Sequence, residues 1–154
     1  MTKKRNAILV SGFVRDYEKT LDDFNKNLRN RSDVDLFMCL WNYQGVRKFV
    51  KDTNRPVKKD GNYQTICLDK DNGSLNLEKV VKDYRPTDVK VYDLDETTST
   101  IEPMAKVIEL TNATPVGLKS AYQITRTSLM FYMFREVFSL MLKHEKANDI
   151  SYEK

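Results

Sequence analysis

The chain has 154 residues, 40% of them apolar and 31% charged, with a formal net charge of +4 and two cysteines. A chain of this length removes roughly 70% of its unfolded surface from water on folding, which suits one compact domain over residues 1–154 and excludes a disordered chain. With no internal repeat, no Pro/Gly-rich linker and no CxxC spacing, repeat architectures and disulfide scaffolds are excluded as well, and free thiols imply a reducing, cytoplasmic setting.

The basic start, Met1 to Arg5, leads into an apolar run that lasts only from Ala7 to Val10, too short for a signal peptide. That run opens the segment Ala7-Ile8-Leu9-Val10-Ser11-Gly12-Phe13-Val14-Arg15, which predicts a strand over about Ala7–Ser11 and a turn. Tyr17, Leu21, Phe24 and Leu28 fall on one face of a 3.6-residue period, so a helix is predicted over Tyr17–Arg29 with Asp16 as its N-cap. Val34–Trp41 is almost continuously apolar, as a strand covered on both faces must be. Two such strands joined by a helix form a βαβ unit and predict a parallel sheet.

Residues 42–73 are the least regular, broken by Gly45, Pro56, Gly61 and Gly73, with a short strand expected near Tyr63–Leu68. This stretch holds Arg47, Lys48, Lys51, Arg55, Lys58 and Lys59 against a single acid, Asp52, between Val46 and Lys59. It reads either as a solvated loop or as a patch that meets phosphates. No aromatic residue other than Phe49 interleaves with the basic run, and no zinc-finger or helix-turn-helix spacing occurs, so no nucleic-acid partner is expected. Ser74 is the expected N-cap of a helix ending at Tyr84, where Arg85-Pro86 stops it. A third strand is expected over Val89–Leu94, then a threonine-rich loop over 95–117 containing Pro103 and Pro115. The last element is a long helix over Leu118–Lys146, apolar on almost every side between Leu129 and Leu142. Arg135 and Glu136 interrupt that run, which is shorter than the ~20 residues needed to span a bilayer, so no transmembrane segment is expected. A helix apolar all round must be covered; a homodimer contact or a further segment would cover it.

The order β-α-β-loop-α-β-loop-α predicts an α/β fold, a Rossmann-like three-layer domain with a mostly parallel sheet. Ligands of such sheets sit at the carboxyl ends of the strands, and here those ends carry Ser11, Gly12, Arg15, Trp41, Asn42 and Tyr43. Small residues, a guanidinium and flat rings suit a phosphate-bearing ligand with a base, such as a nucleotide. Neither a P-loop nor GxGxxG is present, which disfavours a dinucleotide dehydrogenase. A lone histidine, His144, at a helix end reads as structural and leaves neither a histidine-rich zinc site nor a Ser-His-Asp arrangement.

Four segments resemble a family of viral and bacterial glycosyltransferases that use nucleotide-sugar donors and have a GT-A-like fold. They are Ile8-Leu9-Val10-Ser11-Gly12-Phe13-Val14-Arg15, Asp33-Val34-Asp35-Leu36-Phe37-Met38-Cys39-Leu40-Trp41, Tyr84-Arg85-Pro86-Thr87-Asp88-Val89-Lys90-Val91, and Ser128-Leu129-Met130-Phe131-Tyr132 on the long helix that leads to Tyr152-Glu153-Lys154. The resemblance implies a nucleotide-sugar donor bound at the end of the first strand. Ser11 and Gly12 would let the backbone approach it, Arg15 would face the diphosphate, and Trp41 or Tyr43 would stack on the base. It also implies a divalent metal, Mn or Mg, on an Asp-x-Asp motif expected after the long helix. The chain stops at Lys154, before that position, which reads as a truncated or inactive form. Within the chain, Asp93 and Asp95 at the end of the third strand are better placed for a metal than Asp33 and Asp35. The implied partners are the nucleotide-sugar and a glycan acceptor. The alternative is a non-enzymatic α/β interaction module that oligomerises through the long apolar helix.

Overall fold

The computed structural model describes residues 3–14, 18, 20–43, 46–51, 64–69, 74–110 and 121–153. In chain order the elements are β1 (Lys3–Gly12), α1 (Leu21–Phe24) running into a π-helical turn (Asn25–Arg29), β2 (Val34–Trp41), β3 (Val46–Lys51), β4 (Gln64–Asp69), α2 (Leu77–Tyr84), β5 (Asp88–Tyr92), α3 (Leu94–Leu110), α4 (Ala121–Asn148) and β6 (Ile150–Tyr152). Four strands form one all-parallel sheet in the order β5-β2-β1-β6, and β3 and β4 form a separate antiparallel pair. The fold is α/β and Rossmann-like, as the apolar patterning predicts.

Every residue of β2 is buried, because both faces of the sheet are covered. Phe37, Cys39 and Trp41 pack with Met133, Val137, Leu140 and Met141 of α4 on one face. Leu36, Met38 and Leu40 pack with Val80 and Tyr84 of α2 and with Leu21 and Phe24 on the other. Alternation by two along one strand thus feeds two cores.

The structure redraws several elements. The first helix begins at Leu21, while Asp16 and Tyr17 lie outside the described residues. The π-helical turn closes with the Asn30 amide on the Asn25 carbonyl. A turn widened by one residue rotates the positions after it, so Phe24 stays on the core face, 5.1 Å from the Tyr84 ring, and Leu28 turns outward. The N-cap of α2 is Asn76, whose side chain accepts from the Lys79 amide. Ser74 instead bridges to Tyr43. The third strand runs over Asp88–Tyr92. The strand expected at Tyr63–Leu68 is β4. Its partner β3, which lacks a clear apolar alternation, carries Arg47, Lys48 and Lys51, while Arg55, Lys58 and Lys59 lie outside the described residues.

The expected loop over 95–117 is helical as far as Leu110, with Pro103 inside the helix. Thr97, Ser99 and Thr100 each donate their hydroxyl to the carbonyl four residues earlier. Hydroxyls that would compete with a helix are turned onto the helix itself. The long helix spans Ala121–Asn148, and 111–120 lie outside the described residues. After it the chain turns at Asp149, in left-handed backbone with φ 51°, and enters β6, a strand too short to show in the sequence pattern.

Candidate site at the carboxyl ends of the strands

The tips of β1, β2 and β5 lie side by side, since Gly12 pairs with Leu40 and Trp41 with Tyr92. Gly12 has φ +111°, a left-handed conformation that a side chain would strain, and a Cβ placed there would meet none of the described residues within 4 Å. Among the described residues, nothing at the tip of β1 blocks close approach. Ser11, beside it, is half-buried. Arg15 lies outside the described residues.

Trp41 is only 4% exposed. It packs at 6.3 Å against Phe13 and belongs to the core beneath the site, so its ring is a wall. Tyr43, two residues on, is half-buried and lines a cavity of about 270 Å³ with Asn42, Ser74, Leu75, Leu77 and Val91. Of the strand-end residues expected at a ligand, Asn42 and Tyr43 line this cavity among the described residues.

Asn42 organises the site, a role that its place at a strand end does not by itself reveal. Its amide donates to the Tyr92 carbonyl at 2.9 Å and its carbonyl accepts from the Leu75 amide at 2.8 Å. Its side chain donates to Asp93 Oδ2 at 2.8 Å and accepts from the Leu94 amide at 3.1 Å. One residue thus ties the ends of β2 and β5 to the starts of α2 and α3. Asp93 caps α3, accepting from the Glu96 amide on Oδ1 at 2.8 Å. Asp95 accepts from the Tyr43 hydroxyl at 3.1 Å. A divalent ion on Asp93 and Asp95 would compete with these donors. Among the described residues no group of three or more His, Cys, Asp or Glu is arranged to hold a metal.

The strongest polar cluster lies at the opposite end of the sheet. Arg5 makes a forked contact with Asp35, through its Nε and, at 2.9 Å, its Nη2. Asp35 also accepts from the Tyr152 hydroxyl at 2.9 Å and from Thr87 at 3.3 Å, and His144 Nδ1 lies 2.8 Å from the same phenol oxygen. Burial pushes the Asp35 carboxyl up, but the hydrogen bonds from Arg5 and Tyr152 outweigh it and hold it below its usual range. Burial, then Asp35, pushes the Tyr152 phenol up. This cluster clamps β6 to β1 and β2. Asp35 sits two residues into an apolar strand, and that out-of-place acid is the signal in the sequence. A second cavity of about 360 Å³, lined in part by Arg5, Arg31, Asp35 and Arg85, borders it.

Compared with protein-family models, curated proteins and solved structures, the chain finds no match. No helix among the described residues is long and apolar enough to cross a membrane.

Proposed function

We propose that the chain is the nucleotide-sugar-binding domain of a GT-A-like glycosyltransferase, which moves a sugar from a nucleotide diphosphate sugar to a glycan acceptor. The observation that carries this reading is the open ground at the strand tips. Gly12, in left-handed backbone at the end of β1, has clear space among the described residues, and the cavity lined by Tyr43 lies at the ends of β2 and β5. Ligands of parallel sheets bind at this edge.

In this reading the diphosphate approaches the backbone at Ser11 and Gly12, and Tyr43 offers the flat face for the base. Sugar transfer builds positive charge on the sugar and negative charge on the departing diphosphate. Arg15 is assigned to that charge on its sequence position. Because Asp93 is engaged as a helix cap, no step is routed through a metal.

The test is a thermal-shift titration with UDP, GDP and their sugars, with and without manganese. A binding nucleotide at 100 times its dissociation constant stabilises by about 2.7 kcal/mol. At this chain length that is a rise of roughly 5–10 °C. Tyr43→Ala should abolish most of the rise. If no nucleotide moves the melting temperature, the reading fails and the interaction module takes its place. Release of nucleoside diphosphate in the presence of a glycan acceptor then separates an active transferase from a binding domain.

A further inference from the structure

The geometry points to a homodimer built by antiparallel pairing of two β1 edges, from Asn6 to Gly12, beneath the exposed apolar flank of α4. This surface is argued without the ligand proposed above, although its upper end shares the Ser11 and Gly12 backbone with that site.

β1 is ten residues long, yet β6 pairs only with its first three, in the register Lys3 to Ile150, Lys4 to Ser151 and Arg5 to Tyr152. Above Arg5, no strand among the described residues pairs with that edge. The direction of the free groups follows from two bonds. The Asn6 amide donates to the Asp33 carbonyl on the β2 side, and the Arg5 carbonyl accepts from the Glu153 amide on the β6 side. Alternation along the strand then turns the amides and carbonyls of Ala7, Leu9 and Ser11 outward. None of the residues Lys4–Gly12 is buried, whereas every residue of β2 is.

Strand edges that stay unpaired are normally guarded by lysine, proline or a bulge. The run Asn6-Ala7-Ile8-Leu9-Val10-Ser11-Gly12 contains neither charge nor proline. Leu9, at its centre, is 38% exposed. A two-fold axis at Leu9 sets it opposite Leu9 of the second copy and Ala7 opposite that copy's Ser11, which brings every outward amide to an outward carbonyl. Asn6 then meets Gly12, and the pairing ends where β6 begins.

The helix above supplies the apolar area. Tyr132 and Glu136 contact Tyr92, so that side of α4 faces β5. At 3.6 residues per turn Met130 and Phe134 lie on the other side, toward β1. Near the end of α4 this flank is covered, with Met141 and Tyr152 buried in one core. Higher up it is bare: Met130 is 50% exposed, Phe131 62%, Phe134 51% and Phe138 43%. Three half-exposed phenylalanines leave on the order of 300 Å² of ring surface in water. With Met130 and Leu9 the patch approaches the roughly 450 Å² of apolar surface on one side of a standard interface. One two-fold operation therefore pairs the open edge and covers the bare flank.

The experiment is sedimentation velocity over a concentration series, combined with amide hydrogen exchange at both ends of that series. The expected result is a dimer in which the Ala7, Leu9 and Ser11 amides gain protection with concentration while Ile8 and Val10, bonded within the sheet, do not change. Leu9→Lys and Phe134→Glu, both at exposed positions, should each weaken the dimer at least tenfold. Their melting curves report whether the monomer stays folded. A chain that is monomeric throughout overturns the inference. So does a dimer in which those three amides exchange as freely as in the monomer, because the contact would then lie elsewhere. The exchange pattern of the unmodified chain decides the matter even if either variant fails to fold.

Discussion

Asp35→Asn tests the clamp that holds β6 to the sheet. The side chain keeps its shape and loses its charge, so Arg5 keeps its place without an ion partner, and one oxygen that accepts from Tyr152 becomes an amide donor or must turn. Breaking a buried ion pair from one side costs about 3–5 kcal/mol. The pair here is not fully buried, so about 3 kcal/mol is expected, or a fall of roughly 6–12 °C in Tm. Tyr152→Phe, which removes one hydroxyl from the same cluster, should cost about 1–2 kcal/mol. The double variant should cost less than the sum, since both changes break the same Asp35 to Tyr152 contact. Urea unfolding at pH 7 measures all three. Asp35 has a lower pKa folded than unfolded, so its contribution is present in full above the unfolded value near about 3.9 and is lost as pH falls through the folded value. The parent and Asp35→Asn should therefore converge in stability as the pH is lowered. Asp33, which its hydrogen bond from Arg31 holds down at about 2, titrates alike in both proteins and cancels. An Asp35→Asn protein within about 0.5 kcal/mol of the parent at pH 7, the range of an ordinary surface change, would refute the clamp.

Phe37→Ala, at a fully buried ring packed against those of His144 and Tyr152, should cost about 3–5 kcal/mol, read by the same urea titration. Burial pushes the Cys39 thiol up to about 12, so in a Cys67→Ser background the native protein should leave a thiol reagent unreacted at about pH 8 and react only on unfolding. Asn76→Ala removes the hydrogen bond that caps α2 and should cost about 1 kcal/mol, visible as a fall of a few degrees in Tm.

Where the chain is periodic, its elements were legible. The alternation that sends Phe37, Cys39 and Trp41 to one core and Leu36, Met38 and Leu40 to the other is written in a run of apolar residues, and that run identified a strand buried on both faces. The parallel sheet follows from two such strands and one helix. The sequence placed the strand tips, and the side chains around them followed less directly. Tyr43 lines the cavity, whereas Trp41 is a wall of the core. Asn42 gave no periodic signal, because its role depends on Tyr92, Asp93 and Leu94, some fifty positions away.

The sequence by itself determined the fold class, the two-faced central strand and the long apolar helix, since these rest on periodicity between near neighbours. Only the tertiary structure decided that Thr97, Ser99 and Thr100 complete a helix instead of a loop, and that Ile150–Tyr152 is a strand. A three-residue strand has too little apolar surface to announce itself. It exists because Tyr152 reaches Asp35, 117 residues away, and because β1 offers it an edge.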